Sequence, residues 1–322
     1  KKRLDVLLSL WKSKIYKIRG AIMSWKNILE DPKQYMIYLE GRILQGSKEA
    51  DEKYLKKLFK YRMGRELDLH HPQALNDKLQ WLKINDFKPI YTKFADKYAV
   101  REYIAQKVGE KYLVPLLGVW NEVDDIDFNS LPDQFVLKCT HDSGGVVICK
   151  DKSNFDKETA IKKLKHCYKR NYYLNTREPA YKDIKPRVIA EQFMVDETGW
   201  DLKDYKIFCF NGKPVYVEVD YNRSVKHMLN AYDLDWNFLE FCDSSPNNRD
   251  ADIPKPQRLD EMLEIAKVLS KDMTFLRVDM YSIYDKIYCG ELTLYPGSGF
   301  IQFNPMKTDY ELGKLLRLPI DK

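Results

Sequence analysis

Four charged residues stand inside runs that otherwise read as buried strands. Lys138 lies in Phe135-Val-Leu-Lys-Cys139 and Lys206 in Tyr205-Lys-Ile-Phe-Cys-Phe210; Asp279 lies in Arg277-Val-Asp-Met-Tyr281 and Glu291 in Tyr288-Cys-Gly-Glu-Leu-Thr293. A buried ammonium or carboxylate is very costly without a partner, so each must meet an opposite charge or leave the core. Lys138 is followed by Asp142-Ser-Gly-Gly145, a turn whose amides can face phosphate oxygens, and then by Lys150. In an even hairpin register Lys138 and Lys150 share a face. The result is either a phosphate cradle or an ordinary hairpin with an edge lysine. Asp279 and Glu291 flank a short turn at Asp285-Lys286 and so fall on neighbouring strands. Close carboxylates repel unless a proton or a cation intervenes. Mg²⁺ shared with nucleotide phosphates is one answer. Separate pairing with a lysine or arginine, such as Arg277, is the other. Lys206 and Arg223 flank the strand pair beside them, so interior cations and carboxylates recur over three hairpins, a distribution suited to a triphosphate with Mg²⁺.

The elements that must hold these residues are legible from periodicity. Phe135–Cys139 and Val146–Cys149 form one expected hairpin. Tyr205–Phe210 and Val215–Val219 form a second around Asn211-Gly212, the strongest short turn signal. Leu276–Tyr281 and Ile287–Leu294 form a third, ending at Tyr295-Pro-Gly-Ser-Gly299. Helical patterns cover Lys48–Met63, Asn76–Trp81, Lys93–Val108 and residues 155–173 and 258–271. Val188-Ile-Ala190 is a strand opening into Glu191-Gln-Phe-Met-Val195. No internal repeat or low-complexity stretch occurs.

Composition narrows the class. The 322 residues are 44% hydrophobic and 32% charged, ordinary for a globular protein of two or three subdomains. The six cysteines form no CxxC pair and no zinc spacing, which suits a reducing, cytoplasmic setting. No apolar run reaches the roughly 18–20 residues of a membrane span. Residues 1–65 hold 17 Lys/Arg against 7 Asp/Glu, whereas the whole chain is +6, leaving −4 for residues 66–322. That body lacks the broad basic face that nucleic acid demands. Within the basic segment, Leu4, Leu7, Leu8, Trp11, Ile15, Ile18 and Ile22 recur at helical spacing opposite lysines. Such a helix either packs on the body or lies on an anionic membrane surface. His70-His71-Pro72 has no third metal ligand nearby and reads as a loop. No GxxxxGK[ST] loop is present, and the glycine turn follows the strand lysine, the reverse of a protein kinase.

Taken in order, the segments resemble the ATP-grasp superfamily, in detail its TupA-like branch, over about residues 66–315. Phe94-Ala-Asp-Lys-Tyr-Ala-Val-Arg101, then Gly109 and Val114-Pro115, is similar to the segment whose lysine, here Lys97, reaches the nucleotide phosphates, with Arg101 as a helper. Lys138 matches the second nucleotide lysine, and His141–Val147, with Ser143, Gly144 and Gly145, the glycine-rich lid. Glu191, Gln192, Phe193 and Met194 match the hinge, whose backbone pairs with the adenine edge. Asp204 and Lys206 match the acidic-x-basic strand that contacts ribose and phosphate, and Arg223 the arginine steadying the transferred phosphoryl group. Asp279 and Glu291 match the metal carboxylates and Pro296-Gly297 the closing turn. The family pattern ends Glu-x-Asn; here Thr293 stands in the asparagine's place.

The resemblance implies an α+β ATP-grasp fold, two α+β subdomains clamping ATP, with a helical N-terminal extension. The expected divisions are 1–65, a basic helical segment; 66–130, an α/β region; 131–197, the lid subdomain; and 198–322, the metal-binding subdomain. It implies catalytic Lys206 and Arg223 with ATP and Mg²⁺ as cofactors, Mg²⁺ on Asp279, Glu291 and Thr293. The expected reaction is ATP-dependent joining of a carboxylate to an amine through an acyl phosphate, on a cell-surface polysaccharide or its precursor. The expected partners are small-molecule or glycan carboxylates and amines, with peripheral contact of residues 1–30 on the inner membrane face. The alternatives are a glycosyltransferase of the same pathway, for which Asp233-Leu-Asp235 formally supplies an Asp-x-Asp motif, and a non-catalytic nucleotide-binding module.

Overall fold

The computed structural model describes residues 31–223 and 225–321. It builds two antiparallel sheets, each with one charged and one apolar face. The first sheet has the order β1-β4-β2-β3, from β1 (Leu116–Trp120), β2 (Phe135–Cys139), β3 (Val146–Cys149) and β4 (Val188–Gln192). The second has the order β10-β9-β5-β6-β7-β8, from β5 (Asp204–Phe210), β6 (Lys213–Tyr221), β7 (Met228–Tyr232), β8 (Phe238–Leu239), β9 (Phe275–Ile283) and β10 (Lys286–Thr293). All three expected hairpins are present. In the second, Asn211 and Gly212 both take positive φ, 50° and 77°, as the tight turn requires. A side chain at Gly212 would come within 2.6 Å of the Lys271 carbonyl oxygen. β1 carries no strong sequence signal, and it draws residues from before position 131 into the first sheet.

Strand alternation separates chemistry from packing. In β2, Phe135, Leu137 and Cys139 are buried under the helix α6 (Lys157–Tyr168), whose Ala160, Leu164 and Cys167 form its inward stripe. Val136 and Lys138 face the other way. In the second sheet, Ile207, Val217, Val219, Leu276, Val278 and Met280 pack under α8 (Leu259–Ser270). That helix presents Leu259, Met262, Ile265, Ala266 and Leu269 at helical spacing. Each fully buried Leu, Ile or Met stabilises the fold by about 1.5–3 kcal/mol, so the apolar faces set which way the charged faces look.

The expected helix over Lys93–Val108 is broken. The helices α4 (Ile90–Ala95) and α5 (Val100–Val108) are separated at Asp96–Ala99. The Asp96 carboxylate accepts the amides of Tyr98 and Ala99 and also pairs with Arg187 at 2.5 Å, which stops one helix and starts the next. Lys97 sits at that break.

A second local irregularity matters as much. Cys289 pairs with Met280, but Glu291, not Gly290, pairs with Asp279. Gly290 is the extra residue of a β-bulge. Without it Glu291 would oppose Val278 and turn to the apolar face.

The N-terminal helices α1 (Pro32–Ile43) and α2 (Lys48–Met63) pack with Phe300 in a separate small core. They adjoin α3 (Leu75–Asn85), which is locked to α9 (Lys307–Leu315) by a buried charge network. Asp309 accepts the Asn76 amide at 2.9 Å and Arg65 at 3.0 Å, while Arg65 also binds Asp77 at 2.7 Å. The expected basic helix within residues 1–30 lies outside the described residues. Replacing Asp309 by alanine should cost about 3–5 kcal/mol in urea unfolding, because Arg65 and the Asn76 amide lose a shared buried acceptor. Asp309→Asn, which keeps the amide contact, should cost less.

Candidate functional site

The charged faces of the two sheets meet across a cavity of about 670 Å³. Its walls include Lys97, Lys138, Lys150, Lys206, Arg223 and Arg277 as cations, with Glu191, Asp201, Asp204, Asp279 and Glu291 as anions. The apolar part of its lining is Val114, Val136, Val146, Ile148, Phe193, Met194, Trp200 and Leu202. A site with an apolar part and a charged part suits a ligand built as a flat base joined to phosphates.

On the first sheet Lys138 donates to Glu191 at 2.6 Å, and Arg101 binds the other Glu191 oxygen at 3.3 Å. Val146 is opposite Lys138 in the β2–β3 pair, so Lys150, four residues on, falls on the same side; the even register is present. Its ammonium lies 5.9 Å from the centre of the Phe193 ring. Glu191, Gln192, Phe193 and Met194 all line the cavity where the chain leaves β4. The Glu191 carboxylate itself is taken up by its two cations.

Lys97 bridges the sheets. It donates to the Asp142 carbonyl oxygen at 3.1 Å and pairs with Glu291 at 3.3 Å. Burial works to raise the Glu291 carboxyl, but Lys97 and Arg277 outweigh it and hold it below its ordinary value.

On the second sheet the register sets Glu291 beside Asp279, Asp279 beside Lys206 and Lys206 beside Glu218, a row across four strands. Lys206 binds Asp220; Arg223 binds Asp204 and, at 3.1 Å, the same Asp220 oxygen. Burial opposes ionisation of Asp220, yet Lys206 and Arg223 keep it low. Arg277 grips Asp279 with two bonds of 2.7 and 2.6 Å and donates to the Thr293 hydroxyl at 3.2 Å. Burial still pushes the Asp279 carboxyl up to about 6, against the pull of Arg277.

Asp279 therefore takes the arginine pairing that the sequence left as one alternative, and Thr293 is tied to the same guanidinium. Room for a cation remains on the Glu291 side, whose carboxylate is 36% exposed with Lys97 as its ion-pair partner among the described residues. Among those residues no group of three or more His, Cys, Asp or Glu is spaced as a metal cage. Mg²⁺ usually takes one or two carboxylates and completes its shell from phosphate and water, so the donor set fits that ion.

Two sets of expected site residues lie away from the cavity wall. His141 does not reach the cavity; it is 4% exposed, and Nε2 donates to the Tyr168 carbonyl oxygen at 3.0 Å. Burial lowers its basicity, so the neutral ring serves as a strut under the turn. Ser143, Gly144 and Gly145 also lie outside the cavity wall. The turn is closed on itself by the Cys139 amide donating to the Gly145 carbonyl oxygen at 2.9 Å, and its Asp142 carbonyl oxygen accepts from Lys97. Sequence reasoning also treated Arg277 only as a counter-charge. The signal was available: Arg277 and Asp279 are two apart on one strand and must share a face. Asp233-Leu-Asp235 forms a polar turn, with Asp233 accepting the Asp235 and Asn237 amides at 3.0 and 2.8 Å and the Asn237 side chain at 2.9 Å.

Replacing Arg277 by methionine should raise the Asp279 pKa further, since burial would then be opposed by Lys206 without Arg277. In the intact protein the raised value makes Asp279 stabilise the fold below its ordinary 3.8, and this contribution fades as pH rises through about 6. In Arg277→Met the fading should move to higher pH, readable in the Asp279 ¹³C carboxyl titration and in urea midpoints against pH.

A family model described as TupA-like ATPgrasp matches residues 77–317. Similar solved structures include D-alanine–D-alanine ligase from Bacillus anthracis, at 17% identity, covering 62% of this chain and 57% of that one, TM-score 0.37. The same enzyme from Helicobacter pylori is 20% identical over 70% of this chain and 61% of that one, TM-score 0.36. A RimK domain ATP-grasp protein from Sphaerobacter thermophilus is 12% identical over 70% and 69%, TM-score 0.37. The match spans less than two thirds of either alanine ligase. No curated protein matches the sequence.

Proposed function

The chain belongs to the TupA-like ATP-grasp family, and from that premise we propose that it binds ATP with Mg²⁺ between its two sheets and uses it to join a carboxylate to an amine. The observation that carries this reading is the row of Glu291, Asp279 and Lys206 across β10, β9 and β5, facing Lys97 and Lys138 over one cleft. Phosphoryl transfer needs little covalent help from a protein; it needs charge placed where charge develops. Phe193, Met194, Val136 and Ile148 supply the surface for a base. Lys97, Lys138 and Lys206 would draw the triphosphate, and Glu291 with Asp279 would hold Mg²⁺, which when bound neutralises phosphate oxygens. Arg277, anchored by Asp279, and Arg223, anchored by Asp204 and Asp220, are aimed by their carboxylates and would orient the acid substrate and the transferred phosphoryl group. Because Lys97, Lys138, Lys206, Arg223 and Arg277 already have carboxylate partners, binding exchanges one set of ion pairs for another.

The acceptor we assign is a sugar acid or amino acid of a surface polysaccharide or its precursor, an inference by family analogy. The geometry of Asp233 argues against a glycosyltransferase, since its carboxylate is occupied by its own turn. Incubated with MgATP and a panel of uronic and amino acids, the protein should release ADP and phosphate only when an acid and an amine are both present. Turnover of a UDP-sugar without ATP would overturn the reading, and ATP binding with no turnover on any pair would favour the non-catalytic module. Lys138→Ala and Glu291→Gln should each lower turnover by about a hundredfold or more, with the thermal midpoint little changed.

We also assign residues 1–30 a peripheral role on an anionic membrane surface, supported by their apolar stripe and lysine-rich arc. Among the described residues no helix is long and apolar enough to cross a membrane. Deleting residues 1–30 should abolish co-sedimentation with phosphatidylglycerol vesicles; binding retained without them would remove the idea.

A further inference from the structure

Beyond Lys206 the charged face of the second sheet continues, and its chemistry changes sign. Glu218 is the next member of the row, two strands from Asp279 and so about 10 Å away. It is 1% exposed, and its Oε1 atom has no hydrogen-bond partner. Tyr216, two residues back on the same side of β6, is equally buried with an unpartnered hydroxyl. The half-buried Asp243 stands close enough to Glu218 to disfavour its ionisation, and neither acid has an ion pair among the described residues. The nearby cations are committed elsewhere: Lys206 and Arg223 to Asp220, Arg277 to Asp279.

The segment that carries Asp243 is fixed in place. Cys242 and Asn304 exchange backbone hydrogen bonds of 3.0 and 2.8 Å, and Ser245 holds the His227 ring at 3.1 Å beside it. A buried acid beside a second, half-buried one, neither with a counter-ion among the described residues, costs the fold stability that a cationic ligand would restore. Burial pushes both acids above their ordinary values, Glu218 further because of Asp243. An ammonium, a compact cation with three donors, suits two carboxylates and a phenol oxygen.

We propose that this acidic pair, the half-buried Asp243 with the buried Glu218 beneath it, is the subsite for the ammonium group of the amine co-substrate. The assignment rests on the ligase reading, and it places the amine on the far side of Lys206 and Arg277 from the metal carboxylates. The nucleophile and the activated carboxylate would thus approach each other across those two cations.

Methylammonium chloride is the probe, titrated into the full-length chain against sodium chloride at equal ionic strength, with the thermal midpoint as the readout. The intact protein should show a saturable rise above the sodium reference. Asp243→Asn and Glu218→Gln should each weaken that response about tenfold or more. Their ligand-free midpoints should be equal to or above that of the parent, since like-charge repulsion is relieved. An undiminished methylammonium response in both variants would overturn the proposal. Hydroxylamine, largely uncharged at neutral pH, traps an acyl phosphate as hydroxamate without needing an ammonium subsite. Hydroxamate formation should fall less than methylammonium affinity; a greater fall would assign the two acids to phosphoryl transfer and sink the amine subsite. If no acid yields hydroxamate in the parent chain while both variants still lose the methylammonium response, the ligase reading fails and the cation subsite stands.

Discussion

A charge taken out of water must find its opposite within hydrogen-bonding reach, and the cleft of this protein is organised around that demand. Glu191 answers Lys138 and Arg101, Glu291 answers Lys97, Asp220 answers Lys206 and Arg223, and Asp279 answers Arg277. These pairs hold the cations at fixed positions before any ligand arrives, so a polyanion meets a preformed array. The same pairs keep the empty cleft from repelling itself apart. A triphosphate with a metal brings both signs of charge and can substitute for either half of each pair.

The scaffold makes this arrangement possible by confining apolar contacts to the outer faces. α6 covers one sheet and α8 the other, and each takes the apolar alternate residues of its strands. The inner faces are then free to carry charge without breaking a core. Lys97 is the exception in origin, because it comes from a helix break and not from a strand, and it is the side chain that touches both sheets. The charge of the cleft and the relative placement of the sheets are therefore coupled through one lysine.

Much of this was legible in the sequence because charged residues inside apolar runs are rare and costly. Lys138, Lys206, Asp279 and Glu291 announced the cleft, and Asn211-Gly212 announced its central hairpin. What escaped notice depends on partners distant in sequence. β1 is a strand because β4 lies beside it, the helix ends at Asp96 because Arg187 is there to share the carboxylate, and His141 is a strut because Tyr168 offers a carbonyl. The glycine turn reads as a phosphate cradle; that the Cys139 amide closes it and Lys97 braces it is something local composition does not reveal. Arg277 was seen but given the lesser role, since a counter-ion and an orienting group look alike in one dimension.

The bulge at Gly290 carries a further lesson about spacing. Strand residues alternate faces, so the number of positions between two side chains in a hairpin, odd or even, ordinarily decides whether they can meet. Asp279 and Glu291 meet only because one unpaired glycine changes that parity. A motif defined by counting residues from the turn would assign Glu291 to the packed side and pass over it. In this chain the position of the extra residue, more than the identity of its neighbours, decides which acidic residue faces the cleft.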